Sequence, residues 1–283
     1  MNNIIDGKHV AKVLRESIKK ETAELLETTG KSPNLTVIIV GENPASQSYV
    51  RSKKKFAMEV GFESETIELP ESITQDELLA QIEKLNDNPN VNGILVQLPL
   101  PSHIDEQTVI RKIAVEKDVD GFHPEQVGGL SIGLDTLEPC TPAGIIELLK
   151  FYNIETSGKN AVIVGRSNIV GKPIASMLLK LDATVTITHS RTANLSDITR
   201  GADILVVAIG RPHFLTGDMV KEGAVVIDVG INRTDEGKLV GDVDYEAASK
   251  KASYITPVPG GVGPMTIAML LANTLKAFKR QSA

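Results

Sequence analysis

Short apolar runs alternate with amphipathic stretches along almost the whole chain, and this alternation constrains the fold more than any other feature. Residues 35–41, 64–69 and 93–98 read as strands, and 10–26, 47–60 and 75–86 read as the helices around them, with Gly61 ending the second helix. The pattern resumes with strands over 161–165, 184–188, 204–208 and 225–229 and helices over 142–151, 172–181 and 265–278. Strands separated by helices imply βαβ units and mostly parallel sheets, an α/β fold. At 283 residues the chain has the length of about two domains. Composition shifts to Gly, Pro and Asp between Asp118 and Pro142, which marks the expected junction. The expected division is 1–121, with the C-terminal helix 265–283 folding back on it, and a Rossmann-type parallel-sheet domain over 140–264.

Several function classes are excluded by composition. Formal net charge is −6 and the isoelectric point is about 5.5, which argues against a nucleic-acid binder. Cys140 is the single cysteine, so no intrachain disulfide can form. It reads as a buried structural residue, because no basic partner is evident near it. The five histidines are scattered, and no metal site is expected. No run approaches the length of a membrane span, and the opening residues lack a signal-peptide pattern. A cytoplasmic enzyme is the expectation, with no membrane or nucleic-acid partner.

Four stretches carry candidate chemistry. In the first, Pro257-Val258-Pro259-Gly260-Gly261-Val262-Gly263-Pro264 joins rigid prolines to glycines that let a ligand approach bare backbone. It suits either a pocket wall or a tight strand-to-helix turn. The second is the turn from Gly165 to Gly171, where a strand meets a helix as in a dinucleotide site. At the next strand end stands His189-Ser190-Arg191-Thr192, where an NAD site would place a carboxylate. Ser190 and Arg191, with Arg166, favour a 2′-phosphate and so NADP, although as solvated surface charges the arginines would carry no such role. Tyr49 and Lys53, in the third stretch, stand four apart on one helix face at the carboxyl end of a strand, within a basic run that could be a solvated face. The fourth contains Asp118 and Asp120, beside Gly121, which read as a turn or a site, and Gln97 is a polar residue closing an apolar strand.

Taken together, these segments resemble the bifunctional methylenetetrahydrofolate dehydrogenase/methenyltetrahydrofolate cyclohydrolase family. The matching stretches are VGENPASQSYVRSKKK (40–55), GILVQLPLP (93–101), KDVDGFHP (117–124), PCTPAG (139–144), GRSNIVGKP (165–173), DVGIN (228–232) and PVPGGVGPMT (257–266). The resemblance implies two α/β domains flanking a cleft and a homodimer serving tetrahydrofolate interconversion, one-carbon metabolism and purine biosynthesis. It implies NADP-dependent oxidation of 5,10-methylenetetrahydrofolate and hydrolysis of the methenyl product to 10-formyltetrahydrofolate.

By the same resemblance Lys53, Gln97 and Asp120 are catalytic. Tyr49, Leu98, Pro99, Pro259, Gly260 and Gly261 join them in binding folate. Gly165, Arg166, Ser167, Val170, Gly171, Ser190, Arg191 and Ile231 bind NADP. The chain departs from the family pattern at Gln126, often asparagine, and at Gly129, often basic. A monofunctional dehydrogenase is the main alternative. A shikimate-type dehydrogenase and a non-catalytic folate or nucleotide sensor are the others.

Overall fold

The computed structural model describes residues 3–234 and 236–282, and the chain divides into two compact units. One unit takes in 13–129, 134–140 and 267–283, and the other takes in 1–12, 130–133 and 141–266. Both are α/β with parallel sheets. In chain order, β1 (Asn3–Ile4), α1 (Gly7–Thr29), β2 (Asn34–Val40), α2 (Pro44–Glu59), β3 (Glu63–Leu69), α3 (Gln75–Asp87), β4 (Gly93–Val96), α4 (Glu106–Lys112) and α5 (Pro124–Ser131) come first. There follow α6 (Cys140–Phe151), β5 (Asn160–Val164), α7 (Gly171–Lys180), β6 (Thr184–Thr188), α8 (Leu195–Thr199), β7 (Ile204–Val207) and β8 (Val225–Asp228). Finally come β9 (Asn232–Arg233), β10 (Leu239–Val240), α9 (Tyr245–Ser249), β11 (Tyr254–Ile255) and α10 (Val262–Ser282).

The smaller sheet has the order β3-β2-β4, all parallel. Strand β2 is central and almost wholly buried, as its largely apolar, β-branched sequence dictates. One face packs into a core with Ile18, Val50, Val60 and Phe62, together with Leu270, Leu271 and Leu275 of α10. The other face packs on Leu78 and Ile82 of α3 and Val109 of α4. Helix α3 opens with a reciprocal capping box between Thr74 and Glu77. Helix α2 begins at Pro44, earlier than the loop-like Asn43-Pro44 pair suggests. Proline at a first helical position gives up no needed donor, and the Asn43 side chain accepts from the Ser46 N–H at 3.1 Å.

The larger sheet has the order β1-β11-β8-β7-β5-β6, again parallel. Its crossings put the carboxyl ends of β5, β6 and β7 side by side. One side of its core holds Val162, Val164, Leu205, Val207, Leu215 and Val226.

The smaller-sheet unit also contains a buried cation. Lys117 is 5% exposed, and its ammonium donates to the carbonyls of Leu85, Asn86 and Asn88 at 3.0, 2.7 and 2.8 Å. These carbonyls stand at the end of α3, where the helix leaves acceptor capacity unused and the dipole favours a cation. Burial lowers the Lys117 pKa from the ordinary lysine value. Lys117→Met takes a charged donor from all three carbonyls. The expected loss of stability is about 3 kcal/mol, read as a lower midpoint in urea unfolding; an unchanged midpoint would remove this capping role.

Candidate active site

Three strand ends converge in the smaller-sheet unit. Strand β2 leads into α2, which carries Tyr49 and Lys53 on one face. Strand β4 stops at Val96, so Gln97 lies just beyond the strand, yet its N–H still donates to Ile38 O at 2.8 Å. Asp118 bridges to Ile94 of β4 as a short parallel extension and delivers Asp120 to the same end of the sheet. Ligands bind on this side of open α/β sheets.

The lysine is the centre of the group. Lys53 is 4% exposed, and its Nζ donates to Gln97 Oε1 at 3.0 Å. The Gln97 amide is fixed in turn by donating from Nε2 to Leu98 O at 2.7 Å. The Tyr49 ring lies 4.6 Å from the same Nζ, a cation–π distance. Burial depresses the Lys53 pKa, and the negative charge of Asp120 opposes that shift. Asp120 moves the other way, raised by burial while Lys53 and a hydrogen bond from the Cys140 thiol pull it down. An amine and a carboxyl group pushed toward each other in pKa form the kind of pair found where protons are moved. Lys54 and Lys55 are exposed on the helix and leave this group.

Cys140 needs a correction. It is buried, as its sequence context suggests, and its Sγ lies 3.3 Å from Val119 O. No basic residue stands near it in sequence, but Lys53 is close enough to act on its charge, and the thiol bonds to Asp120. Burial still pushes the thiol well above its ordinary range, so it is a hydrogen-bond donor under the carboxylate and no nucleophile. The signal was missed because the two residues are 87 positions apart in sequence and meet only through the sheet.

Below this group Asp118 is buried, and burial raises its pKa to about 7. Its carboxylate accepts from the His123 N–H at 2.7 Å and also bonds the backbone of Gly121 and Phe122. Leu98 and Pro99 follow Gln97 directly, half-buried and exposed respectively. The departure at Gln126 has a structural meaning. This side chain is buried, donating to Val115 O at 2.7 Å and accepting from the Leu137 N–H at 2.9 Å. At Gly129 an added Cβ would lie 2.6 Å from the Thr136 methyl.

The remaining predicted residues lie in the larger-sheet unit. Gly165 has φ +126°, and a Cβ there would sit 2.2 Å from Ala208 O. A Cβ on Gly171 would sit 2.3 Å from Gly165 O. Only glycine permits this closed turn between β5 and α7. Ser167 Oγ accepts from the N–H groups of Val170 and Gly171 at 3.1 and 3.2 Å, so it braces the turn.

Beside the turn is a cavity of about 530 Å³ lined by Gly165, Arg166, His189, Ser190, Arg211 and Phe214, among others. Arg191 is exposed beside it and does not line it. Arg211 and Phe214 escaped the sequence reading. The guanidinium of Arg211 lies 4.6 Å over the Phe214 ring. A signal was present: Gly210-Arg211 follows β7, at the same carboxyl edge as the turns that were recognised.

Ile231, Pro259, Gly260 and Gly261 share a second, smaller cavity of about 150 Å³. Gly260 has φ +112°, and a Cβ on Gly261 would fall 2.6 Å from Pro257 O. Helix α10 starts inside the Pro/Gly stretch at Val262, three residues before the apolar period begins at Met265.

Comparison with known proteins follows this division. The family model for the tetrahydrofolate dehydrogenase/cyclohydrolase catalytic domain matches residues 5–120, and the model for the NAD(P)-binding domain of the same family matches 139–282. The bifunctional protein FolD of Oceanobacillus iheyensis is 59% identical over 279 residues, covering 99% of this chain and 98% of the relative. A crystal structure of the bifunctional FolD methylenetetrahydrofolate dehydrogenase/cyclohydrolase from Campylobacter jejuni is 54% identical, with a TM-score of 0.97 and 99% of each chain covered. The Trypanosoma brucei methylenetetrahydrofolate dehydrogenase-cyclohydrolase, solved with NADP and an inhibitor, is 43% identical with a TM-score of 0.95, covering 99% of this chain and 98% of that one. With both halves matched in order and relatives aligned end to end, the chain belongs to the tetrahydrofolate dehydrogenase/cyclohydrolase family.

Proposed function

We propose that this chain oxidises 5,10-methylenetetrahydrofolate to the 5,10-methenyl cation with NADP⁺ and then hydrolyses that cation to 10-formyltetrahydrofolate. The observation that carries the second activity is the buried Lys53 ammonium group, held on Gln97 and facing Asp120. A dehydrogenase alone has little use for a lysine whose pKa burial has lowered. Hydrolysis does, because adding water to the methenyl carbon releases a proton, and opening the ring puts one on the departing nitrogen while the hydroxyl gives up another, one proton leaving overall.

In this reading the neutral Lys53 Nζ accepts one proton from the attacking water and returns it to the departing ring nitrogen, while the remaining hydroxyl proton leaves to solvent as the C–N bond breaks and the formyl C=O forms. Gln97 fixes the amine for both transfers. Asp120 accepts from the pterin N–H and amino groups, and the Tyr49 ring stacks on the folate. Leu98 and Pro99 line the folate pocket, and the Pro259-Gly260-Gly261 turn supplies a folate contact of its own. Catalysis belongs to the smaller-sheet unit, which holds Lys53, Gln97 and Asp120, and nucleotide binding belongs to the larger-sheet unit.

The residues of the larger-sheet unit fit a dinucleotide. The closed Gly165–Gly171 turn brings bare backbone to the pyrophosphate position, and the 530 Å³ cavity has room for the adenosine half. Arg166, Ser190 and Arg191 would hold the 2′-phosphate, while Ser167 and Val170 shape the turn and Ile231 lines the inner cavity. When bound, NADP⁺ supplies the ring that accepts the hydride.

The chain works as a homodimer in the cytoplasm. Among the described residues no helix is long and apolar enough to cross a membrane.

The test uses purified protein, 5,10-methylenetetrahydrofolate and either NADP⁺ or NAD⁺, following reduced nicotinamide and methenyl product separately. The expected result is faster reduction with NADP⁺ and no build-up of the methenyl species. Accumulating methenyl product would leave a monofunctional dehydrogenase, and no reduction with either nucleotide would overturn the folate assignment.

A further inference from the structure

The larger-sheet unit contains a pair of buried carboxylates that the proposed chemistry does not use. Asp242 is 0% exposed and Asp228 is 3% exposed. Such groups are rarely buried unless several donors meet them. Here the donors are main-chain N–H groups from two loops. Asp242 Oδ2 accepts from Ile209 and Gly210 at 2.7 and 3.0 Å, and Oδ1 accepts from Arg211 at 2.8 Å. The Asn232 side chain adds a fourth donor to Oδ1 at 2.9 Å.

Asp228 lies behind it and ties the pair together. Its Oδ1 accepts from the N–H groups of Gly230 and Asp242 itself, both at 2.9 Å, and its Oδ2 accepts from Val243 at 2.9 Å. The backbone has been shaped to admit both carboxylates. A Cβ on Gly230 would lie 2.4 Å from Asp242 Oδ1, and one on Gly241 would lie 1.8 Å from Asp228 Oδ2.

The loops so held are those leaving β7 and β8 at their carboxyl ends. Ala208, Ile209 and Arg211 line the 530 Å³ cavity, and Gly230 and Ile231 line the 150 Å³ cavity. Ala208 is also the residue whose carbonyl closes over Gly165. One carboxylate therefore sets the position of walls in both cavities, without lining the larger one or reaching a ligand there itself.

We infer that Asp242 is a positioning residue for the dinucleotide: it locks the loop Ala208–Arg211, and with Asn232 the loop after β8, in the form that receives the adenosine half. This rests on the nucleotide reading of that site. A carboxylate suits the task because it can only accept. An amide of the same shape turns an NH₂ group toward N–H donors and loses at least one bond while adding a repulsive contact.

The experiment measures the NADP⁺ dissociation constant by titration calorimetry, with kcat and the two KM values, in wild type, Asp242→Asn, Asn232→Ala and Asp244→Ala. Asp244 is the structural control, since its side chain only caps α9 through the Ala247 N–H at 3.1 Å. Asp242→Asn is expected to weaken NADP⁺ about 10- to 30-fold, with KM for methylenetetrahydrofolate within about twofold and kcat at saturating NADP⁺ within about threefold. Asn232→Ala, which removes one donor, should weaken NADP⁺ by about two- to fivefold and covers the case in which Asp242→Asn fails to fold. Asp244→Ala should lower the melting temperature and leave NADP⁺ affinity unchanged.

An unchanged NADP⁺ affinity in folded Asp242→Asn overturns the inference, as does an equal loss in Asp244→Ala. If wild type itself fails to bind NADP⁺, the nucleotide reading fails and this inference fails with it.

Discussion

Lys53→Met slows hydrolysis of the methenyl intermediate by about 10²- to 10⁴-fold, the range of a lost general acid–base group. The hydride step suffers far less, since it needs orientation rather than proton transfer, and methenyl product accumulates during turnover. The substitution keeps the unbranched shape of the side chain and removes a charge that burial already disfavours, so the protein folds. Gln97 and the Tyr49 ring lose their cation, and Asp120 keeps its bond from the Cys140 thiol.

The pH dependence has a definite sign. Hydrolysis requires the neutral amine, so its rate falls as pH drops through the Lys53 pKa. That pKa is lowered by burial, which moves the acid limb below the ordinary lysine range. The same shift costs the fold stability below the lowered value, and that cost is relieved as pH rises from there toward the ordinary lysine value, because in that window the native state binds fewer protons than the unfolded chain. Full hydrolysis in Lys53→Met, or an acid limb unmoved by it, would take Lys53 out of the proton path.

Gly165→Ala abolishes useful nucleotide binding, with NADP⁺ affinity falling by about 100-fold or more. Two independent effects add. A φ of +126° is one that a side chain rarely adopts, and the new methyl would lie 2.2 Å from a main-chain oxygen that cannot swing away. That oxygen belongs to Ala208, at the head of the loop that Asp242 holds, so relief at Gly165 displaces the cavity wall. Calorimetric titration with NADP⁺ and thermal unfolding check this together. Binding within about threefold of wild type would show that the turn yields more easily than its geometry indicates.

Much of this was legible in the chain. The buried strands announced themselves because Leu35 to Val40, interrupted only by Thr36, and Ala161 to Val164 are short, β-branched apolar runs of the kind that strands covered on both faces use. Lys53, Tyr49, Gln97 and Asp120 were found as pieces, and the structure brings Lys53, Gln97 and Asp120 together at one strand edge.

What stayed hidden depended on distance in sequence or on small elements. Strands β1 and β11 have two residues each and acquire meaning only by pairing, Asn3 with Tyr254 and Ile4 with Ile255. Helix α5 contains Gly128 and Gly129, poor helix formers, and reads as part of a turn-rich junction. The Asp228–Asp242 pair could not be anticipated, since nothing in the sequence distinguishes a carboxylate that meets four N–H donors from one on the surface. Arg211 is hidden for a different reason: a single Gly-Arg pair after β7 carries no motif, and its place beside the dinucleotide turn follows only from the strand order β7-β5-β6.

The pairing of β1 with β11 reaches beyond the active site. A strand near the beginning of the chain completes the larger sheet only after residues around 255 have been made, and α10, made last, supplies Leu270, Leu271 and Leu275 to the core of the other unit. Neither half is a cassette. A segment cut at the junction would leave one sheet short of its edge strand and the other core open along a whole apolar face. Each half is finished by residues from the far side of the junction, so a cut there is expected to cost both activities at once.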